Sequence, residues 1–326
     1  MRAAYYETNG TAREALRIGE LPMPEPGPGE VRVKVAASGI NPSDVKSRQG
    51  TTRKIAFPRV IPHSDGAGVI DKVGEGVAPA RAGERVWIWN AQWKRAFGSA
   101  AEYITLPAAQ AVPLPESVSF AQGACLGIPA MTAVHAVELA ETSREGTLLV
   151  AGGAGSVSQY VIQFAKMRGA RIIATVSSPE KAKIAREAGA DETIDYKREN
   201  VGDRVMAMTA HRGVDAVIEM DLSANAKLIP SVLRPKGTVI VYGTGAAEAS
   251  LPAFFCLTNS IHIRFFLVYE LTATERARAI AAINEALAQG KLVNRVGKPF
   301  PLAEIAAAHE AVEQAVTTGN VVLTLD

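Results

Sequence analysis

Leu148 to Lys166 reads LLVAGGAGSVSQYVIQFAK: a hydrophobic run enters Gly152, Gly153 and Gly155 and leaves as a helix whose apolar face is Val161, Ile162, Phe164 and Ala165. A strand, a glycine turn and a helix in that order suit a dinucleotide. The glycines permit a tight turn and let the backbone approach a pyrophosphate, and the helix N-terminus presents unpaired N–H groups and a positive dipole end. Gly153, Ala154, Gly155, Ser156 and Val157 are therefore candidate pyrophosphate-binding residues. The run departs from G-x-G-x-x-G at Ser158, which is still small enough for close helix–strand packing. An ordinary βα loop can carry similar glycines, so the flanking pattern has to decide.

Strand-like segments at Thr147–Ala151, Arg171–Val176, Glu192–Ile194, Ala216–Glu219 and Val239–Tyr242 alternate with helical ones at Val157–Met167 and Pro179–Ala188. That alternation predicts a doubly wound parallel sheet. Upstream, Pro129–Ala140 reads as a helix with Pro129 in its first turn. The first third is different in kind. Val31, Val33 and Val35 alternate with Arg32 and Lys34 after a loop held extended by Pro22, Pro24, Pro26 and Pro28. Short strands follow at Ala67–Val73, Arg85–Trp89 and Ala100–Thr105, which predicts a barrel-like β domain. Ile261–Val268 reads as a buried strand at the edge of the parallel sheet, and edges invite pairing with a second copy. Helices at Thr274–Gln289 and Leu302–Thr317 and a strand at Val321–Leu325 complete the chain. The fold class is α/β, with a β domain over residues 1–123 and a nucleotide-binding domain over 124–268.

The 326 residues carry 35 Lys and Arg against 33 Asp and Glu, a formal charge of +2, which leaves no electrostatic footprint for nucleic acid or an anionic membrane. Two cysteines, Cys125 and Cys256, exclude a disulfide framework and an all-cysteine metal site. No run of 18 apolar residues is present, and Met1 to Gly10 holds no signal-length apolar stretch, so a cytoplasmic protein is expected. The strand after the glycine turn ends Ala174-Thr175-Val176-Ser177-Ser178 without the acid that commonly meets the ribose hydroxyls of NAD. Ser177, Ser178 and Lys181 instead suit a 2′-phosphate, which favours NADPH; the same serines would serve to cap the helix starting at Pro179.

Further landmarks accompany the turn: Gly39-Ile40-Asn41-Pro42-Ser43-Asp44, Ser64-Asp65-Gly66-Ala67-Gly68-Val69-Ile70, Gly83-Glu84-Arg85-Val86, Gly127-Ile128-Pro129 with Thr132-Ala133, and Gly237 leading to Val241-Tyr242-Gly243. With these, nearly the whole chain resembles the zinc-free quinone oxidoreductase (ζ-crystallin-like) branch of the medium-chain dehydrogenase/reductase superfamily. The resemblance implies a GroES-like β-barrel domain over residues 1–123 completed by 269–326, a Rossmann domain between them, a homodimer, and NADP(H). It places Asn41 and Thr132 near the nicotinamide ribose and carboxamide, Ser177, Lys181 and Tyr196 around the 2′-phosphate, and Gly243 and Thr244 beside the cofactor. The backbone from Phe266 to Val268 would meet the carboxamide. Asn41, Asp44 and Lys46 are the catalytic candidates, Asn41 or Lys46 meeting developing oxyanion charge.

The chain also departs from its relatives. Asn41 stands where the zinc alcohol dehydrogenases of the superfamily have a cysteine, and Ser64 where they have a histidine; His63 falls one place early. His135, His211, His262 and His309 show no i, i+4 ligand spacing, so no metal is expected. Two tyrosines of the quinone site align with Lys46 and Thr52, and Asn320, kept as a cofactor candidate, replaces a lysine. Trp87, Trp89 and Trp93 serve the core or wall an aromatic pocket. The activity so implied is NADPH-dependent reduction of quinones or α,β-unsaturated carbonyls. The alternatives are a 2-alkenal/enone reductase with little quinone activity and a catalytically weak NADPH-binding structural or regulatory protein.

Overall fold

The computed structural model describes residues 1–51, 54–141, 145–315 and 318–325. The chain forms two compact units, Met1–Ile128 with Ile283–Asp326, and Pro129–Ala282. The junctions after residues 123 and 268 mark where the sequence pattern changes; compactness divides the chain later.

In chain order the first unit holds β1 (Arg2–Tyr5), α1 (Ala12–Ala15), β2 (Arg17–Glu20), β3 (Glu30–Ile40), α2 (Pro42–Gln49), β4 (Asp65–Val73), β5 (Arg85–Ile88), β6 (Tyr103–Pro107), β7 (Ala111–Pro113) and α3 (Phe120–Gly123). The second holds α4 (Met131–Ala140), β8 (Thr147–Val150), α5 (Ser156–Met167), β9 (Arg171–Val176), α6 (Pro179–Glu187), β10 (Glu192–Asp195), α7 (Val201–Met208), β11 (Val214–Glu219), α8 (Leu222–Asn225), α9 (Ile229–Val232), β12 (Leu233–Val241), α10 (Ala253–Thr258) and β13 (His262–Phe265). After α11 (Ala273–Ala288) the chain adds β14 (Val296–Pro301), α12 (Ile305–Glu313) and β15 (Asn320–Thr324) to the first unit.

In the first unit the strands pair in the order β14-β15-β3-β4-β5-β7, with β6 also on β3. β4 takes one edge of β3. The other edge is shared, β6 pairing with Glu30–Lys34 and β15 with Ala37–Ile40. Register shifts at Arg32/Val33 and Val35/Ala37 bend β3 so that one strand serves both neighbours. Val31, Val33 and Val35 point into the core with Val86, Ile88, Ile104 and Leu106, as the alternation required. Trp87 takes the opposite face of β5, fully buried, and its indole N–H donates to Asn284 at 3.3 Å. Trp89 is also buried, so both rings are packed within the structure.

The second unit is an all-parallel sheet in the order β10-β9-β8-β11-β12-β13. Counted from β8 this is 3-2-1-4-5-6, with the reversal between β8 and β11, the place where open α/β sheets hold their ligands. Every residue of β8 is buried, which explains its uninterrupted apolar run.

Several local expectations need correction. Ile261–Val268 is not a buried strand: only His262–Phe265 pairs, at the sheet edge, and Phe265 and Leu267 are 65% and 49% exposed. The helix predicted from Pro129 starts at Met131, because Leu126–Ala130 winds as a π-helical turn around Pro129, whose missing N–H and fixed φ break regular α geometry. The strand placed at Ala100–Thr105 begins at Tyr103. Leu302–Glu304 is a 3-10 turn ahead of α12, and the predicted end of that helix at Thr317 lies outside the described residues.

Candidate active site

The glycine turn is pressed against its neighbours. Gly153 donates its amide to the Thr175 carbonyl at 2.8 Å, and a Cβ there would stand 2.7 Å from Ala174 Cβ. No side chain fits, so the turn lies flat against β9 and the start of α5 stays open. Ser158 is buried and its hydroxyl donates to the Ala151 carbonyl at 2.9 Å, which accommodates the departure from a third glycine. The cap of α5 is Gly155, which has no side chain to occupy the first-turn amides. By contrast Ser178, Asn200 and Asp221 cap α6, α7 and α8 with side-chain oxygens. The amides at Ser156 and Val157 are thus presented to an external anion.

Of the other candidates of this unit, Ser177, Ser178, Tyr196, Gly243, Thr244 and Phe266 follow the C-terminal ends of parallel strands, and so share one edge of the sheet. Ser177 and Ser178 follow β9, and Tyr196, following β10, donates its amide to Val176 at 3.0 Å. Tyr196 is 52% exposed. Ser178 accepts from the Lys181 amide at 3.3 Å, so it does cap α6. Glu180 belongs to the same corner and sequence reasoning missed it. Its own amide and the Ser178 hydroxyl hold its carboxyl below the usual range. The only advance signal was its position two residues after the cap. Gly243 follows β12, its carbonyl meeting the Leu222 amide at 3.4 Å, and the Thr244 hydroxyl donates to Ala246 at 2.8 Å. Phe266 follows β13, donates to the Val241 carbonyl at 3.2 Å, and meets the His135 ring edge-on at 4.8 Å. Thr132, one turn before His135 in α4, is buried, as is Val268.

The first unit carries the catalytic candidates. Asn41 precedes α2 and its amide N–H donates to Asp44 Oδ2 at 2.8 Å, so the Asp44 carboxylate closes the start of that helix. The Asn41 side chain donates through Nδ2 to Asp65 Oδ2 at 2.8 Å. Asp65 is fully buried, and its carboxyl also accepts the Ile128 amide at 2.8 and 3.0 Å. Burial pushes the Asp65 carboxyl well above the usual range, while Ile128 and Asn41 pull it back. Asp65 lies in the Ser64–Ile70 landmark, and Gly127 packs so close that a Cβ there would lie 2.1 Å from Asp65 Oδ1. Lys46 follows in α2, half-buried, and its tyrosine-replacing companion Thr52 lies outside the described residues. Asn320 starts β15, whose Val321 pairs with Ile40, so Asn320 comes to the same end of the ladder as Asn41. Its own side chain donates to the Arg295 carbonyl at 3.2 Å.

A zinc ion does not fit these donors. The Asn41 amide is held by Asp65, and both His63 ring nitrogens are committed, Nδ1 to Ser38 at 2.8 Å and Nε2 to His309 at 2.9 Å. Among the described residues no three His, Cys, Asp or Glu side chains group to hold a metal, and no helix is long and apolar enough to cross a membrane.

Residues 27–116 match the family model for the alcohol dehydrogenase GroES-like domain, and residues 156–285 match the model for zinc-binding dehydrogenase. Human quinone oxidoreductase is 32% identical, the alignment covering 96% of this chain and 94% of the relative. A mycobacterial protein solved in complex with NADPH superposes over 100% of both chains with a TM-score of 0.89 and 28% identity. An NAD-dependent alcohol dehydrogenase superposes as fully, with a TM-score of 0.92 and 29% identity. A fold shared with a dehydrogenase, joined to full-length identity with a quinone reductase, shows that the chain belongs to the quinone oxidoreductase family of the medium-chain dehydrogenase/reductase superfamily.

Proposed function

We propose that this protein is an NADPH-dependent reductase that passes hydride to quinones or related α,β-unsaturated carbonyls without a metal. The observation that carries the reading is the edge of the parallel sheet at its order reversal. There an uncapped α5 awaits a pyrophosphate, and the end of β9 offers Ser177, Ser178 and Lys181 where an NAD site would place an acid. NADPH supplies the hydride when bound. Ser156 and Val157 amides hold its phosphates, Ser177 and Lys181 hold the 2′-phosphate beside the Tyr196 ring, and Thr132 with the Phe266–Val268 backbone orients the nicotinamide. Asn41, fixed by Asp65, meets the substrate oxygen as charge develops, with Lys46 the nearest cation in sequence. Asp44 acts as a positioning group, its carboxylate spent on the Asn41 backbone. Asn320, at the same end of the ladder as Asn41, is a further cofactor candidate.

Purified protein given NADPH and a panel of quinones, enones and 2-alkenals is expected to oxidise NADPH with at least one acceptor. Product analysis separates hydroquinone from saturated carbonyl. Tight NADPH binding with no turnover on any acceptor would establish the structural or regulatory alternative instead.

Cofactor choice gives a sharper test. Lys181→Ala removes a charged donor, for which a loss of about tenfold in kcat/KM with NADPH is the expected scale, with NADH little changed. Ser177→Asp should go further, placing a carboxylate where the 2′-phosphate sits and turning the preference toward NADH. Equal use of both coenzymes by the unaltered protein would sink the assignment.

We further propose that two copies pair through β13, in a cytoplasmic protein. The strand is an edge, and Phe265 beside it is 65% exposed. Light scattering should give a dimer mass for the unaltered chain and a monomer for Phe265→Lys; a monomer in both overturns the pairing.

A further inference from the structure

The first unit holds a cavity of about 510 Å³, within the range of small-molecule sites, that none of the candidate catalytic residues lines. Its walls are mostly apolar, among them Met23, Ile61, Phe97 and Tyr103, with Arg59 and Arg95 as its charged members. The two arginines differ. Arg59 is satisfied: it pairs with Glu7 at 2.6 Å and lies over the Tyr5 ring at 4.6 Å. Arg95 is half-buried and, among the described residues, has no carboxylate within 4 Å. Its Nη2 donates to the Thr105 carbonyl and its Nη1 to Gln110 Oε1 at 3.4 Å, both neutral acceptors. Among the described residues the guanidinium's remaining N–H groups meet no protein acceptor. Burial pulls its pKa down, against the opposing pull of the Glu30 charge, which lies beyond ion-pair contact.

The sequence explains the imbalance. Residues 45–64 and 85–101 contain no Asp or Glu, yet carry Lys46, Arg48, Arg53, Lys54, Arg59, Arg85, Lys94 and Arg95. The fold joins these two acid-free stretches directly, the Ile61 amide donating to Ala96 at 3.0 Å and Gly98 to Ile61 at 2.8 Å. A partly desolvated guanidinium with no carboxylate in contact, and only the more distant Glu30 to favour its charge, gains from a ligand that supplies one. Its planar fork matches a carboxylate with two parallel hydrogen bonds. The apolar walls beside it suit a hydrocarbon body.

We propose that this cavity is a second binding site, separate from the nucleotide and catalytic residues, for a carboxylate with an apolar body of the medium-chain fatty-acid type, with Arg95 taking the carboxylate. Calorimetry with decanoate tests it on the full chain, with decanol and decyltrimethylammonium as comparisons. Decanoate should bind about tenfold or more tightly than either comparison, on the scale of one charge-assisted hydrogen bond. Arg95→Gln should remove that advantage, leaving decanoate no better than decanol. Phe97→Ser, at an exposed wall position, should weaken decanoate and decanol together, which keeps the test decisive if Arg95→Gln fails to fold. Binding should persist in saturating NADPH. Absence of decanoate binding, equal binding by the cationic analogue, or full affinity in both variants would overturn the proposal.

Discussion

Asp65→Leu is expected to lower kcat by about tenfold or more and to destabilise the fold by about 2 kcal/mol or more, since each orphaned buried donor costs ~1–3 kcal/mol. Asp65 receives two buried donors, Asn41 Nδ2 and the Ile128 amide, and leucine accepts from neither. Freed from its partner, the Asn41 amide samples other rotamers, and a donor displaced from the developing charge no longer lowers the barrier. Asp65→Asn keeps the volume and one carbonyl acceptor, so it should recover part of both losses. Gly127→Ala attacks the same clamp from the opposite side. Its Cβ would lie 2.1 Å from Asp65 Oδ1 and 2.8 Å from the Ile88 carbonyl, a contact that only backbone movement relieves. Urea denaturation and steady-state rates on the three variants check this. Unchanged kcat in Asp65→Leu would show that Asn41 needs no holding.

The parts of this arrangement that are local in sequence were legible from it. A buried strand, a glycine turn and an amphipathic helix are neighbours along the chain, so Leu148–Lys166 revealed the parallel sheet and the glycine-capped start of α5. What the sequence hid was contact across distance. Asp65 lies 24 residues from Asn41 and 63 from Ile128, and nothing in its neighbours marks it as the group that holds both. The run at Ile261–Val268 misled for a related reason. Apolar side chains in a strand mean burial only if something covers them, and hydropathy does not distinguish a covered strand from one whose face stays exposed. Pro129 was placed in the first turn of a helix that instead begins at Met131, and the π-turn that absorbs it depends on packing that periodicity does not report.

Acid should unfold this protein through two histidines, with a loss of about 5 kcal/mol between pH 6.5 and 4.5 from the pair, at ~1.4 kcal/mol per group and pH unit. His63 and His309 are fully buried. Their hydrogen bonds assign the protons. His309 Nε2–H donates to His63 Nε2, His63 Nδ1–H to Ser38, Ser38 to the Ser99 hydroxyl, and Ser99 to the Asp65 carbonyl. Every donor is used with both rings neutral, and a further proton on either ring finds no acceptor in this chain of bonds. Burial brings the His63 pKa down to about 3, and burial, His63 and the nearby Arg48 push His309 well below its ordinary value. Both folded-state pKa values are thus depressed. Above the unfolded value near 6.5 the two states bind the same number of protons and the stability is intact. As pH falls below 6.5 the unfolded chain takes up protons that the folded one refuses, and stability declines until the folded pKa values are reached. Asp65 works in the opposite sense, its raised carboxyl favouring the folded state as acid is added, so the net loss in the unaltered protein is smaller. The double variant His63→Asn with His309→Phe isolates the histidine contribution, asparagine being tolerant of the positive φ of 79° at residue 63. Urea denaturation at pH 7.5 and 4.5 should show the double variant losing less stability than the unaltered protein over that interval, whatever its starting value. Parallel losses in the two proteins would place acid sensitivity elsewhere and remove the neutral pair as its source.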